Sequence, residues 1–236
     1  MEGEVTRAAV AVVAKEPVAG HAKTRLAPAL GPGGAAVAAA AMLVDTLAVV
    51  ARVDAEPWLC FTPGAARERL AAQAPGFRLL PQSGGDLGDR LAACAVALRA
   101  AGAERIAIVG ADTPHLRPAW YEAALTLLDQ VDLVLGPALD GGYYLVAGRE
   151  PPRELFVGVP MGTELVLGET LRRAERHRLR VALLPPLRDL DRVEDLVAAL
   201  AAGELDASPR TRAVVAALLD GSRSARPIGE PGLTVR

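Results

Sequence analysis

A chain of 236 residues in which 51% of the side chains are apolar has enough material for one sizeable core. Its 26 basic and 28 acidic residues leave a formal net charge of −2, so no overall field attracts DNA, RNA or an anionic membrane. Aromatic residues make up only 3% of the chain, which argues against a base-stacking surface for single-stranded nucleic acid. Any anion binding must therefore be local.

The cysteine content and the N-terminus indicate a cytoplasmic protein. Cys60 and Cys94 are the only cysteines, and we interpret them as buried thiols in a reducing compartment, with a disulfide left open. Glu2 and Glu4 stand where a signal peptide would carry basic residues. The longest uninterrupted apolar segment, 35–44, is shorter than the roughly 20 residues that span a bilayer. We expect no membrane segment.

Short strand-like runs alternate with helical patterns along the chain. The predicted strands are 8–14, 57–61, 77–80, 105–109, 133–136, 143–146 and 181–184. The predicted helices are 34–52, 65–74, 87–101, 118–128, 164–177, 193–202 and 209–219. This alternation predicts a single α/β domain over residues 1–220, with a mostly parallel sheet covered on both faces. Residues 221–236, rich in Gly, Pro, Ser and Arg, are predicted to form a flexible tail.

In such sheets, ligands bind outside the carboxyl ends of the strands, so the polar residues that follow each strand matter most. The first predicted strand leads into KEPVAGHAKTRLAPALG, residues 15–31. Gly20 shapes the turn, and Lys15, Lys23 and Arg25 are candidate phosphate contacts. The alternative is a solvated basic surface loop. The segment is neither a Walker A motif nor GxGxxG.

The segment GADTPHL, residues 110–116, follows the strand that ends at residue 109. Asp112 would lie at the carboxyl end of that strand, where a lone carboxylate suits Mg²⁺. The alternative makes Asp112 or Thr113 the N-cap of the helix that begins near Pro118.

The segment RDLDRVEDL, residues 188–196, offers a second carboxylate. Asp191 could bind the same cation opposite Asp112, so that two carboxylates hold one Mg²⁺ and the phosphates of a ligand. It could equally be the N-cap of the following helix.

The segment GPALDGGYYLVAG, residues 136–148, reads most simply as two strands joined by a tight turn. Its functional interpretation is that the glycines at 141 and 142 allow a ligand to approach the backbone while Asp140 binds a hydroxyl or amine. Tyr143 and Tyr144 point to opposite faces of the sheet, so at most one of them faces the site.

The segment QSGGDLGDRL, residues 82–91, joins a strand to a helix. Its glycines could accept a flat nucleobase, with Gln82 or backbone groups reading the edge of the base. The alternative is an ordinary glycine loop capped by Asp86.

Taken in this order, the five segments resemble the DUF2064 proteins, also called "transferase 1, rSAM/selenodomain-associated". Those proteins belong to the GT-A nucleotide-diphospho-sugar transferase superfamily, with the molybdenum-cofactor nucleotidyltransferases and the phospholactate guanylyltransferases as relatives. The resemblance covers residues 8–200. It implies a three-layer α/β/α sandwich with a mixed, mainly parallel sheet, in which one strand within residues 133–146 runs antiparallel.

The resemblance also implies a role for each matching position. It implies that the catalytic residues are Lys23, Arg25 and Asp112, and that Asp112 and Asp191 bind the metal. The implied nucleotide-binding residues are Lys15, Gly20, Lys23, Arg25, Gln82, Gly85, Leu87 and Gly88. The implied acceptor-binding residues are Asp140, Gly141, Gly142 and Tyr143.

One departure from the family pattern lies at PMGTE, residues 160–164. A tryptophan-threonine pair is expected before the next helix, and this chain has Met161 and an inserted Gly162 instead. The departure concerns the acceptor side of the pocket.

The expected activity is Mg²⁺- or Mn²⁺-dependent nucleotidyl transfer from a nucleoside triphosphate to a small phosphorylated or anionic acceptor, with release of pyrophosphate. The basic first loop favours this reaction, and Asp112-Thr113-Pro114 replaces the Asp-x-Asp pair of many sugar transferases. The alternatives are glycosyl transfer from a nucleotide sugar and a non-catalytic nucleotide-binding module. The expected partners are a nucleotide and a small acceptor, for a monomer or homodimer.

Overall fold

Seven strands form one sheet within residues 7–224, the part of the chain that the computed structural model describes. In chain order they are β1 (Ala8–Lys15), β2 (Glu56–Thr62), β3 (Arg78–Pro81), β4 (Arg105–Gly110), β5 (Leu133–Pro137), β6 (Tyr143–Gly148) and β7 (Val181–Leu183). Their order across the sheet is β3-β2-β1-β4-β6-β5-β7. Each strand predicted from the sequence is present. Glu2 and Glu4 lie outside the described residues.

Strand β6 is the reversed strand of the sheet. It pairs antiparallel with β4, where Val109 lies opposite Leu145, and antiparallel with β5, where Leu135 lies opposite Val146. The other neighbouring pairs are parallel. The sheet is therefore mixed and mainly parallel, which confirms the expected architecture and the antiparallel strand near residues 133–146.

Seven helices connect and cover the strands in this part of the chain. They are α1 (Ala27–Val50), α2 (Arg67–Ala71), α3 (Leu87–Ala100), α4 (Pro118–Leu127), α5 (Val166–Arg176), α6 (Val193–Ala201) and α7 (Pro209–Ser224). A 3₁₀ turn at Gly64–Ala66 replaces the start of the second predicted helix. Helix α7 extends to Ser224, beyond residue 221, where the flexible tail is predicted to begin. Residues 225–236 lie outside the described residues.

The helices form a layer on each face of the sheet. Helices α1, α2 and α4 pack on one face in a core that includes Leu47, Leu70 and Tyr121. Helix α3 packs on the other face with Leu98, and α5 joins it there through Ala174. Alternate residues of β1 enter the two cores, as the two-residue period of a strand requires. A third cluster joins α6 and α7 to the outer side of α1.

Helix α1 begins seven residues earlier than predicted because a short helical segment precedes the main helix and joins it across a kink at Gly31 and Pro32, where Gly31 is not helical. Gly31 has φ of 71°, and Pro32 lies inside the element. By length and composition α1 could cross a membrane, but 61% of its apolar window is buried inside the fold. The buried carboxylate of Asp45 accepts a hydrogen bond of 2.7 Å from the Thr211 amide, which joins α1 to α7. Helix α1 is thus packed as a core helix.

The two cysteines lie on facing elements. Cys60 of β2 and Cys94 of α3 are buried free thiols, as predicted, with 2.9 Å between their sulfur atoms. The hydrogen bond with Cys60 and then burial raise the pKa of the Cys94 thiol.

The topology brings four connections to one edge of the sheet. Strands β1, β2, β3 and β4 are parallel and end there, whereas β6 starts there because it is reversed. The loops after β1, β3 and β4 and the turn between β5 and β6 therefore converge. Together with the segment that follows β7, a strand parallel to β5, these loops carry the charged and glycine-rich segments of the sequence.

Candidate active site

A cleft of about 500 Å³ opens at this edge of the sheet. Ten of the predicted site residues line it, namely Lys15, Lys23, Arg25, Gln82, Leu87, Asp112, Asp140, Gly142, Tyr143 and Asp191. A second depression of about 570 Å³ adjoins it and shares six residues with it, Arg25, Asp140, Gly162, Thr163, Asp189 and Asp191. Predicted residues from every candidate segment thus come together in space.

Four predicted glycines, Gly20, Gly85, Gly88 and Gly141, are not among the residues that line the cleft. Gly20 adopts φ of 78° in the turn where the His21 amide donates to Val18, so it shapes the first loop as expected. Gly88 is buried beneath Phe156, where a Cβ atom would lie 2.2 Å from the Phe156 carbonyl oxygen. These glycines position the lining residues by allowing tight turns and close backbone contacts.

Lys23 lies at the centre of the charged part of the cleft. Its Nζ atom is 2.9 Å from Oδ1 of Asp112 and 3.3 Å from Oδ1 of Asp191, and its side chain is only 7% exposed. Its backbone has φ of 47°, an uncommon value for a residue with a side chain. The loop after β1 therefore places an ammonium group between two carboxylates from distant segments.

Neither of those carboxylates is a helix cap. The N-cap of α4 is Arg117, which has no side-chain cap, and the N-cap of α6 is Arg192. Asp195 accepts hydrogen bonds from the amides of Arg192 (2.7 Å) and Asp191 (3.3 Å). The capping interpretations of Asp112 and Asp191 are therefore wrong, and both carboxylates bind cationic side chains.

Arg25 gives Asp191 a second cationic partner. Its Nη1 donates to Oδ2 of Asp191 at 2.6 Å, and its Nη2 donates to the Gly162 carbonyl at 3.3 Å. This contact joins the first loop to the segment 160–164, where the sequence departs from the family pattern. The inserted Gly162, at φ of 79°, thus supplies a carbonyl that anchors Arg25.

The charges of this cluster hold one another ionised. Burial alone would lower the pKa of Lys23, but Asp112 and Asp191 outweigh burial and raise it. Burial alone would raise the pKa of Asp191, but Lys23 and Arg25 lower it. At neutral pH Lys23, Arg25 and Asp191 therefore stay charged at close range.

Asp189 is a carboxylate of the cleft that the sequence reasoning did not select. Burial, followed by the negative charge of Asp140, raises the pKa of Asp189 to about 6. It lines both depressions together with Asp191. Its spacing from Asp191 could have indicated it. Two residues that are two positions apart on an extended segment point to the same side, so Asp189 is expected to face the cleft with Asp191.

The turn between β5 and β6 forms one wall of the site. Oδ1 of Asp140 accepts a hydrogen bond of 2.8 Å from the Gly142 amide, so this carboxylate stabilises its own turn. Gly141 has φ of 90°, and a Cβ atom there would lie 2.4 Å from the Glu164 carbonyl oxygen. The turn therefore packs directly against the segment 160–164.

The two tyrosines after this turn enter opposite cores, as predicted, but both line the cleft, so the expectation that at most one of them faces the site is wrong. Tyr143 packs in the core with α3 and α5, and Tyr144 in the core with α1 and α4. The Tyr144 hydroxyl donates to the Pro185 carbonyl at 3.1 Å. The Tyr143 hydroxyl is buried.

The loop after β3 forms the opposite end of the cleft. Asp86 caps α3 by accepting a hydrogen bond of 2.9 Å from the Asp89 amide, so the capping interpretation of this loop is correct. Gln82 nevertheless lines the cleft, and its Nε2 donates to the carbonyls of Ala14 (3.1 Å) and Cys60 (2.8 Å). The loop thus both starts a helix and closes the cleft.

The residues present allow only part of a metal coordination sphere. Within residues 7–224, no group of three or more His, Cys, Asp or Glu side chains is arranged to hold a metal ion. Asp112 and Asp191, however, already hold a cation, the Lys23 ammonium, between their oxygen atoms. Two carboxylates suffice for Mg²⁺ where substrate phosphates and water complete its coordination.

The strand order with reversed β6 and the charged cleft at the carboxyl ends define an α/β protein of the GT-A-like nucleotidyltransferase fold. Within that class, the chain belongs to the DUF2064 family, described as an uncharacterized protein conserved in bacteria, whose family model matches residues 45–163.

Solved structures agree with this assignment. A protein from Desulfovibrio desulfuricans G20, provisionally named a nucleotide-diphospho-sugar transferase, matches with a TM-score of 0.85 and 30% sequence identity. The match covers 92% of this chain and 97% of that one. No curated protein shows significant similarity to this chain.

Two more distant structures share the fold alone. A CMP:2-keto-3-deoxy-manno-octonic acid synthetase in complex with CTP has a TM-score of 0.53 at 16% identity, over 84% of this chain and 100% of that one. Rv0371C from Mycobacterium tuberculosis H37Rv, in complex with manganese, has a TM-score of 0.51 at 19% identity, again over 84% and 100% of the two chains.

Proposed function

We propose that this protein is a metal-dependent transferase that moves a nucleotidyl group from a nucleoside triphosphate to a small phosphorylated or otherwise anionic acceptor. The observation that carries the proposal is the meeting of Lys23 and Arg25 with Asp112 and Asp191 in one cleft. Cations that bind phosphates and carboxylates that bind Mg²⁺ or Mn²⁺ are the two components this reaction needs. The named relatives with this fold, which include a CTP-bound synthetase, support a nucleotide as substrate.

Asp112 and Asp191 would hold the cation. When bound, a divalent cation neutralises charge on the α-phosphate and on the attacking oxygen. Asp191 keeps Arg25 as a partner if Lys23 leaves, so this carboxylate stays ionised and oriented.

Lys23 and Arg25 would bind the phosphates that leave. The acceptor oxygen forms a bond to the α-phosphorus, the bond from that phosphorus to the bridging oxygen breaks, and pyrophosphate carries away the negative charge. The ammonium and guanidinium groups stabilise that charge as it develops. The reaction needs positioning rather than a covalent intermediate, so the chain supplies fixed charges and not a nucleophile.

The acceptor would bind in the second depression. Its lining carries three arginines, Arg25, Arg188 and Arg192, that would contact an anionic group, and five acids, Asp140, Glu164, Asp189, Asp191 and Asp195. It adjoins the cleft beside Asp191, so an acceptor there would lie next to the bound phosphates.

Glycosyl transfer from a nucleotide sugar is the second candidate. The relative at 30% identity, provisionally named a nucleotide-diphospho-sugar transferase, favours it. In this reaction the same cations would stabilise a departing nucleoside diphosphate.

Thermal denaturation with ATP, GTP, CTP, UTP and common nucleotide sugars, each with Mg²⁺ or with EDTA, separates these functions. A ligand at a hundred times its dissociation constant stabilises by about 2.7 kcal/mol, which for a chain of this length raises Tm by roughly 5–11 °C. We expect a shift with one triphosphate that requires Mg²⁺, and pyrophosphate release once an acceptor is added. A shift confined to nucleotide sugars would support glycosyl transfer. Binding that persists in EDTA without turnover would indicate a non-catalytic module.

Replacing Lys23 with methionine should strengthen metal binding in the absence of nucleotide. The ammonium lies between the carboxylates, and like charges about 4 Å apart repel by about 1–4 kcal/mol. Mn²⁺ affinity, measured by electron paramagnetic resonance, should therefore rise about tenfold or more. Lys15→Met is the control, since Lys15 lines the same cleft and forms no ion pair with Asp112 or Asp191. Unchanged or weaker Mn²⁺ binding by Lys23→Met would place the metal elsewhere.

A further inference from the structure

The side-chain amide of Gln82 is held in one orientation. Its Nε2 donates to the Ala14 carbonyl at the end of β1 and to the Cys60 carbonyl in β2. Both partners are carbonyl oxygens that can only accept hydrogen bonds, so the NH₂ group must face them. The backbone amide of Gln82 also donates to the Phe61 carbonyl at 2.8 Å. Both ends of the residue are therefore fixed to the sheet.

This orientation leaves one atom of the amide available to a ligand. The NH₂ group uses both of its donors on the strands, whereas Oε1 accepts no hydrogen bond within residues 7–224 and is accessible to solvent. Gln82 lines the cleft. It therefore offers the cleft a hydrogen-bond acceptor and no donor.

The topology places Gln82 at the end of the cleft where a nucleobase would lie. Across the sheet, β3 and β2 are on one side of β1, whereas β4 and the turn between β6 and β5 are on the other. Asp112 and Asp140 thus lie on the metal and acceptor side, with the phosphate-binding Lys23 beside Asp112. A nucleotide whose phosphates bind Lys23 has its base on the remaining side, next to Gln82.

The surroundings of Gln82 fit a planar apolar ligand with a polar edge. Val13, Leu87 and Leu91 line the cleft with it, and Leu87 is 41% exposed. Arg90 donates to the Gly85 carbonyl through Nε (3.2 Å) and Nη2 (2.9 Å), so its guanidinium plane is fixed. Apolar side chains and a guanidinium plane can cover the faces of a base, which leaves the edge to Gln82.

From these observations we infer that Gln82 selects a nucleobase that carries an exocyclic amine, and disfavours uracil. The amine of adenine, cytosine or guanine donates to Oε1. In the orientation that points the cytosine amine at Oε1, uracil would point a carbonyl at it, so two acceptors would face each other and both would lose their hydrogen bonds to water. This inference rests on the proposed function because it requires that the cleft bind a nucleotide.

Pairs of triphosphates that differ only by the amine test the inference on the unaltered protein. The pairs are ATP with purine riboside triphosphate, GTP with inosine triphosphate, and CTP with the triphosphate of 4-deoxyuridine, each titrated with Mg²⁺ by calorimetry. For the base that binds best, loss of the amine should weaken binding about tenfold. If no nucleotide binds, the proposed function fails. If nucleotides bind and loss of the amine changes affinity by less than twofold for every base, or if UTP binds best, the inference alone is overturned.

Gln82→Met shows whether this residue carries the selection. The variant loses Oε1 along with both bonds to the strands, so its affinity for every nucleotide can fall for structural reasons. The informative quantity is the ratio of affinities within each pair, which should fall from about ten to about one. A ratio that stays near ten would assign the amine to another residue. Gln73→Met is the control, since Gln73 is exposed in the segment after α2 and does not line the cleft.

Discussion

The Asp112→Ala variant should lose about three orders of magnitude in metal-dependent turnover while its fold stays intact. Asp112 is one of two carboxylates that would hold the metal, and loss of a group that stabilises transition-state charge costs about 10²–10³ in rate, more when the metal itself is lost. Its contribution to folding is small, because the side chain is 51% exposed and makes one ion pair, with Lys23. The buried Lys23 ammonium keeps its contact with Asp191 at 3.3 Å, so the loss of Asp112 does not leave it unpaired. Steady-state turnover and chemical denaturation measure the two effects.

Asp129→Ala is the matched control for this variant. The Asp129 side chain is 55% exposed and forms ion pairs with Arg105 and Arg149. Arg105 begins β4, so Asp129 lies at the opposite end of that strand from Asp112. Both variants should lose similar, small amounts of stability, and only Asp112→Ala should lose turnover. Turnover within tenfold of the unaltered protein in Asp112→Ala would remove this carboxylate from the mechanism.

The Gly88→Ala variant should lose about 3 kcal/mol of stability. Gly88 lies in the first turn of α3, and an added Cβ would lie 2.2 Å from the carbonyl oxygen of Phe156 and 2.9 Å from its carbonyl carbon. The obstructing atoms belong to the backbone, so α3 or the segment around Phe156 must shift. Overpacking of this kind costs about 1–3 kcal/mol, and occasionally more. Urea denaturation measures the loss, and a Tm about 6–12 °C lower should accompany it.

Gly168→Ala is the control that separates the steric clash at Gly88 from the general effect on stability of replacing a helical glycine with alanine. Gly168 lies inside α5, and a Cβ there meets no atom within 4 Å. The same change should therefore stabilise the protein by roughly 0.5–1 kcal/mol, because alanine favours the helix. A loss below 1 kcal/mol in Gly88→Ala would mean that the contact with Phe156 relaxes without strain.

The strands could be predicted from the sequence because their signal is local. Continuous apolar runs such as that of β4 mark strands buried on both faces, and glycine or proline separates them from the helices. Strand order is not local, since no pattern within residues 143–148 shows that β6 runs against its neighbours. The resemblance to a family gave that direction.

The charged contacts of the site were beyond local prediction for a related reason. Asp191 is followed by a helix, and an acid before a helix is most often a cap. In the structure Arg192 is the N-cap residue of α6, and Asp195 accepts the hydrogen bond from its amide. Asp191 therefore does not cap the helix and instead contacts Lys23, which is 168 positions away in the sequence. The contacts of Gln82 were equally hard to predict. Its side-chain amide binds carbonyls of both β1 and β2, and a local sequence pattern does not show which strands lie side by side.

The amide of Leu190 donates a hydrogen bond of 2.9 Å to the carbonyl of Asp112. This main-chain bond couples the loop after β4 to the segment just before α6, so the spacing of the two carboxylates does not depend on the charge between them. If a ligand drew the ammonium away, this bond would keep the backbones of the two acidic residues close together. Their negative charges would then remain near each other, an arrangement that would favour the binding of another cation.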